Sequence, residues 1–396
     1  MSETTISGFE VYAVDLPFRV AFKHAAATRR HSDSIFVKCI TDTGVTGFGE
    51  SLPREYVTGE SRDGVFTLLC DKILPRLIGR TFVSIQDVEA FLTECDGHAP
   101  RDWVDESIPQ GAAWCAVDLA LLDTIGRATK EQPLTQSRKA LPPGFRYSGV
   151  LSAEKGLKLT ALTLLHRAMG FRSLKMKVAA DTSAQTMRHV HRMAGSSVDI
   201  RVDANMGWSV EQALERIPEF AELGVSSFEQ PLDSLDLSGM ARLVKETGQT
   251  IMADESFHTH ASLDELIERK ACTAINARIS KCGGLIATLN RCREAAQAGL
   301  DIQVGCQVGE SSLLSTAHVA LCSSIPKIRF AEGCFGQLLL EKDPCENEVR
   351  FRRGGRAPEI VDRPGIGAEI NESILSKYVT KHASIYESSI SQEASS

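Results

Sequence analysis

The chain has 396 residues, more than one ordinary core organises, and its 44 Lys and Arg against 51 Asp and Glu leave a net charge of −7. Apolar residues at 43% and charged residues at 24% exclude a disordered chain, and the negative balance argues against nucleic acid or an anionic membrane as the main partner. No stretch approaches the roughly 18 uninterrupted apolar residues of a membrane span. Eleven cysteines, an odd number without zinc-like pair spacing, are expected as reduced thiols of a cytoplasmic protein, most of them small core residues. Met1 to Gly8 is polar, without a basic start and an apolar core, and predicts no export signal.

The first third reads as strands and then helices. Strands are predicted at Ile6 to Leu16, Ser34 to Thr41 and Thr46 to Glu50, with Thr43-Gly44 as the turn of the last hairpin. Helical patterns follow at Asp63 to Leu77, Ser84 to Glu94 and Gln110 to Thr129, the last with a close-packing face of Ala112, Ala113, Ala116, Val117, Ala120, Leu121 and Ile125. This order predicts a separate α+β domain over residues 1–130.

From Phe145 short apolar strands alternate with helices. Strands are predicted at Arg146 to Leu151, Ser173 to Val178, Asp199 to Asp203, Ser226 to Glu229, Thr250 to Asp254, Ala274 to Ser280, Asp301 to Val304 and Ile328 to Glu332. Helices are predicted between them at Thr182 to Ala194, Val210 to Leu223, Ser238 to Glu246, Ser262 to Arg269, Leu285 to Ala298 and Ser311 to Cys322. Eight such strands call for a parallel sheet closed into a barrel over residues 131–345. Residues 346–396 are expected to pack back on the first domain.

Charged residues stand at the strand ends in a regular cadence. After Lys175 and Lys177 come Asp203, Glu229, Asp254 and Lys281, at steps of 26 (203 − 177), 26 (229 − 203), 25 (254 − 229) and 27 (281 − 254). In a parallel barrel these ends share one face, so the three acids converge, and three converging carboxylates call for a cation. Oxygen ligands without His or Cys favour Mg²⁺ over zinc. Lys175 and Lys177 lie two apart on a strand, on one face, where two ammonium groups depress each other's pKa and prepare Lys177 as a base. Lys281 is expected to approach from the opposite side. Asn205 and Glu255 are expected to orient these groups, and Glu332 to line the pocket or pair with a base. His258 and His260 read as exposed loop residues.

The segments Lys175-Met-Lys177, Asp203-Ala-Asn205, Glu229-Gln-Pro231, Ala253-Asp254-Glu255-Ser256 and Lys281-Cys-Gly-Gly284 resemble the successive strand motifs of the enolase superfamily, in its muconate lactonizing enzyme (muconate cycloisomerase) subgroup. Gly47-Phe-Gly-Glu50, Tyr56-Val-Thr-Gly59 and Pro364-Gly-Ile-Gly367 are similar to the family's cap and C-terminal return. The resemblance implies a modified TIM barrel, (β/α)₇β, under an N-terminal α+β capping domain. It implies Mg²⁺ on Asp203, Glu229 and Asp254, with Mn²⁺ as the alternative, and Lys177 and Lys281 as the acid/base pair. Lys175 would tune Lys177 and contact the substrate carboxylate, and loops at Pro17 to His24 and Ser51 to Gly59 would set specificity. The mandelate racemase pattern needs a histidine on the seventh strand, which here reads Gln303-Val-Gly-Cys-Gln307. Implied activities are an enolate-forming muconate cycloisomerase, a racemase or epimerase of an amino-acid derivative or dipeptide, and an o-succinylbenzoate synthase-like dehydratase. The different-class alternative is a catalytically silent binding barrel. The substrate would be a small carboxylate and the enzyme a homo-oligomer. Glu332-Gly-Cys-Phe resembles the last-strand segment of muconate cycloisomerases, and lacks the Asp-x-Asp pair of dipeptide epimerases. The run Gly305-Cys-Gln-Val-Gly-Glu310 fits neither pattern closely.

Overall fold

The computed structural model describes residues 3–23, 28–141, 144–152, 154–358 and 362–387. The first strand alternates between buried and half-buried positions over most of its length, as a sheet with one covered face requires, and the fifth is buried almost throughout. The N-terminal strands are β1 (Thr4–Val14), β2 (Pro17–Lys23), β3 (Thr28–His31), β4 (Ser34–Thr41), β5 (Thr46–Ser51) and the short β6 (Thr81–Phe82). β1, β4 and β5 form an antiparallel meander, with β6 on β1. Helices α1 (Glu55–Thr58), α2 (Arg62–Leu68), α3 (Ile85–Cys95) and α4 (Gly111–Thr129) follow.

The predicted helix Asp63 to Leu77 is broken. α2 stops at Leu68 and passes through a π turn and a 3₁₀ turn at Leu74–Arg76, where Pro75 has no N–H to continue the ladder. α4 lies directly on β5 because Gly47 and Gly49 have no side chain. A Cβ on Gly49 would fall 1.9 Å from the Ala116 carbonyl oxygen.

The remaining strands form one curled parallel sheet of eight, β7 (Gly149–Leu151), β8 (Ser173–Lys177), β9 (Asp199–Asp203), β10 (Val225–Glu229), β11 (Ile251–Ala253), β12 (Ala274–Ala277), β13 (Asp301–Val304) and β14 (Phe330–Ala331), in that order. The amide of Ser148 donates to the Ala331 carbonyl at 2.8 Å and joins the two ends of the sheet. This is the modified TIM barrel with an N-terminal cap. Helices α5 (Gly156–Met169), α6 (Ala184–Ala194), α7 (Val210–Glu222), α8 (Leu237–Thr247), α9 (His260–Glu268), α10 (Leu285–Gln297), α11 (Ser312–Ser324) and α12 (Gly336–Leu339) follow the strands. The strand predicted to run to Ser280 ends at Ala277, because the amides of Lys281 and Cys282 both turn back to the Arg278 carbonyl. The C-terminal strand β15 (Val379–Tyr386) pairs antiparallel with β1, placing the tail on the cap.

Several short elements, the helix α5 and the C-terminal strand β15 have no counterpart among the predicted elements. α5 exposes Leu157, Leu164 and Leu165 on its outer side, which erases the amphipathic contrast a helix is recognised by. Pro17 to Lys23, expected as a loop, is the strand β2 of a two-stranded ribbon with β3, and His24 lies outside the described residues. All eleven cysteines are free, nine of them buried. Among the described residues, no helix is long and apolar enough to cross a membrane.

Candidate active site

The 26-residue cadence becomes strand register. Lys177 pairs with Asp203 across β8 and β9, and Asp203 with Glu229 across β9 and β10, so the three stand at one level. Asp254 follows the last residue of β11. All three acids are buried, exposed by 2% or less. The backbone is strained where it leaves these strands. Asn205 has φ 43° and Gln230 φ 35°, in the left-handed region that costs a non-glycine residue roughly 1 kcal/mol or more. The Gln230 side chain accepts from the amides of Asp254 and Ser256, at 2.9 and 3.1 Å, fixing one strand end against the next.

Each acid is met by a cation of the chain. Lys175 Nζ lies 3.0 Å from Glu229, 2.8 Å from Glu332 and 3.5 Å from Asp203. Lys177 Nζ donates to Asn205 Oδ1 at 2.7 Å and stands 3.6 Å from Asp203. Arg278 pairs closely with Asp254 and lies 3.7 Å from Glu229. Asn276 and Gln303 donate to the two oxygens of Glu229 at 2.9 and 3.1 Å. Asn205 Nδ2 reaches Glu255 at 3.1 Å, and Arg201, inside the barrel, holds the second oxygen of Glu332 at 3.1 Å.

The electrostatics follow from this pairing. Burial pushes Glu229 up to about 7 although Lys175 pulls it down, and burial with the charges of Asp254 and Asp203 lifts Glu255 to about 8. Burial opposes ionisation of Asp254 as well, but Arg278 and Lys281 outweigh it and hold that carboxyl well below its usual range. Lys175 departs from the expected lysine-pair effect. Desolvation works against its charge, yet Glu229, Glu332 and Asp203 hold its ammonium well above the ordinary value.

A cleft of about 220 Å³ opens over this layer. Its polar wall is Lys175, Lys177, Asn205, Glu255, Arg278, Gln307 and Glu332, with His166 and Cys306 beside them; Tyr56 from the cap, Val150, Val308, Phe335, Leu338 and Leu339 make the apolar wall. Lys281 is not on it. Its side chain has no exposure and lies against Asp254 from behind, with Nζ donating to Asp254 Oδ1 at 2.8 Å. The expectation that Lys281 faces Lys177 across the substrate space is therefore corrected, and the residue in that place is Arg278. The strand alternation carried the signal: Asn276 points inward to Glu229, Ala277 does not, and Arg278 points inward again. His258 is also corrected. It is only partly exposed, and burial with the charge of Lys281 lowers it to about 4.

The carboxylate layer fits a hard divalent cation. It offers oxygen donors alone, Asp203 Oδ2 is buried and accepts no hydrogen bond, and Lys175 and Arg278 each bridge two of the three acids as cations. Among the described residues, the one group with all its ligand atoms within 4.8 Å of each other is Asp15, His31 and Asp33 in the cap. That group is half-exposed and includes a histidine, so it lacks the buried, all-oxygen donor set of the carboxylate layer.

Two family models cover most of the chain: the mandelate racemase / muconate lactonizing enzyme N-terminal domain over residues 7–136, and the enolase C-terminal domain-like model over residues 160–374. The chain belongs to the mandelate racemase/muconate lactonizing enzyme family of the enolase superfamily. It is 29% identical over 379 residues to the N-succinyl-L-Arg/Lys racemase of Bacillus cereus, covering 93% of this chain and 96% of the relative. The crystal structure of that racemase superposes with a TM-score of 0.86, over 96% of this chain and 99% of the other. The dipeptide epimerase of Cytophaga hutchinsonii, solved with Mg and D-Ala-L-Val, matches with a TM-score of 0.81 and 25% identity, over 96% of this chain and 100% of the other. The 2-chloromuconate cycloisomerase of Rhodococcus opacus 1CP matches with a TM-score of 0.80 and 26% identity, over 95% and 99%. The chain is an enzyme of this superfamily, in the company of isomerases.

Proposed function

We propose that this enzyme moves the proton α to the carboxylate of a small substrate through Lys177, forming an enolate, in a reaction most like that of muconate cycloisomerase. The reading is carried by Lys177, the lysine that both opens on the cleft and lies level with Asp203 and Glu229. Asp203, Glu229 and Asp254 would hold Mg²⁺, or Mn²⁺ in its place. When bound, the cation supplies positive charge beside the substrate carboxylate, which makes the α-proton removable. Lys177 takes or returns that proton, and its bond to Asn205 aims the ammonium. Lys175 and Arg201 hold Glu332 on the cleft floor, and this engagement leaves Glu332 poorly placed to bind a substrate ammonium. The apolar wall of Tyr56, Phe335 and Leu338 excludes water and favours an uncharged substrate body.

Racemisation or epimerisation of an N-acylated amino acid or dipeptide is the second reading, favoured by the relatives of that activity. The test is conversion of cis,cis-muconate to muconolactone by the Mg²⁺-loaded enzyme and by Lys177→Ala. The expected loss of kcat is about 10²–10⁴-fold, the range for a positioned acid or base. A folded variant with undiminished turnover would remove Lys177 from the chemistry.

A further inference from the structure

In a ring of eight strands β8 and β12 stand half-way round from each other, so a residue just past the end of β12 meets the substrate from the face opposite Lys177. Arg278 is that residue. Lys281, three positions on, has all three ammonium protons engaged: by the Asp254 carbonyl at 2.6 Å, Asp254 Oδ1 at 2.8 Å and the Asn276 carbonyl at 2.9 Å. It borders a separate cavity of about 580 Å³, with Glu60 and His258 on its wall. The two faces of a substrate α-carbon thus meet an ammonium on one side and a guanidinium on the other.

A guanidinium keeps its proton at any working pH and cannot act as a base. Inversion at a carbon needs a group that accepts a proton on one face and another that donates on the opposite face. We infer that proton transfer in this enzyme is confined to the Lys177 face of the substrate, with Arg278 as a fixed cation on the other. This rests on the reading of Lys177 as the base. It closes racemisation and leaves open reactions in which the proton departs and returns on one side. In ring opening of a lactone, Lys177 takes the α-proton, the C–H electron pair becomes the C=C bond, and the β C–O bond breaks with its pair on the released carboxylate. Ring closure is the reverse, and no further reactant is consumed. The substrate class is a carboxylate with an oxygen substituent on its β-carbon, or the corresponding alkene.

The experiment incubates the full chain with Mg²⁺ in D₂O and three probes: muconolactone, N-succinyl-L-arginine and N-succinyl-D-arginine, followed by proton NMR and chiral chromatography. Deuterium is expected in one of the two α-positions of muconolactone, with no interconversion of the arginine enantiomers. Arg278→Lys is expected to interconvert the enantiomers at a rate at least about tenfold above the enzyme-free background, the step that one recovered proton carrier on the second face would open. Interconversion by the unmodified enzyme, deuterium in both α-positions, or a folded Arg278→Lys that still exchanges on one face alone would each overturn the inference. Failure of the underlying reading looks different: the unmodified enzyme exchanges none of the probes, or Lys177→Ala exchanges them as fast.

Discussion

Lys281 and Arg278 lie three residues apart, and the difference between them is one of direction. The step from Asp254 is 24 to Arg278 (278 − 254) and 27 to Lys281 (281 − 254), and a cadence of 25 or 26 does not choose between them. The choice is made by strand alternation carried one residue past Ala277, where Arg278 keeps the inward direction of Asn276 and the turn after it takes Lys281 behind Asp254. Asp203, Glu229 and Lys177 were legible because each ends a strand whose register preserves its spacing. Arg201, Gln303 and Asn276 were hidden inside strand interiors, where a polar residue reads as solvated until the barrel closes around it. Lys281 is a positioning residue for Asp254. Removing its ammonium in Lys281→Met leaves a buried carboxylate and two carbonyls short of a donor, with an expected loss of about 3 kcal/mol. Chemical denaturation would detect it, and an unchanged midpoint would sink the assignment.

At the scale of elements, the seam between cap and barrel has its own charged centre. Glu50 of β5 accepts from the Ser311 amide at 3.1 Å and the Ser311 hydroxyl at 2.5 Å, at the N-terminus of α11. Burial, against these bonds, raises its carboxyl to about 8. The folded state therefore binds this proton more tightly than the unfolded one, whose value is about 4.5. The stability it contributes is present below about pH 4.5 and is lost as pH rises toward 8. Urea midpoints of Glu50→Gln are expected to fall less steeply between pH 5 and 8 than those of the natural chain; equal slopes would count against it. The contact of α4 with β5 gives a second test. Gly49→Ala drives a methyl into the Ala116 carbonyl and is expected to destabilise by roughly 3 kcal/mol, read as a lowered Tm. A Tm within a degree of the natural protein would refute the close approach. The close-packing face of Ala112, Ala113, Ala116 and Ala120 made one side of this contact legible in the sequence; the role of Gly49 on the other side was not. The ribbon of β2 and β3 carries no such mark.

Over the whole molecule, the proposed cation site on three buried carboxylates would tie the stability of the barrel to metal binding. Mg²⁺ at a hundred times its Kd is expected to stabilise the fold by about 2.7 kcal/mol, and a chelator to reverse this. A Tm indifferent to both would argue against the triad as a metal site. The barrel was legible because a constant βα period has few solutions; the C-terminal strand β15, which pairs with β1, lies outside that period and was not predicted. What the period could not convey was which side chain stands on each face of the substrate, since that depends on local strand ends. The most direct check is cyclisation of cis,cis-muconate by the Mg²⁺-loaded enzyme in D₂O, beside folded Lys177→Ala. A single solvent deuteron at the α-carbon of the product, absent with Lys177→Ala, is the expected result; product without deuterium, or equal labelling by the variant, would contradict it.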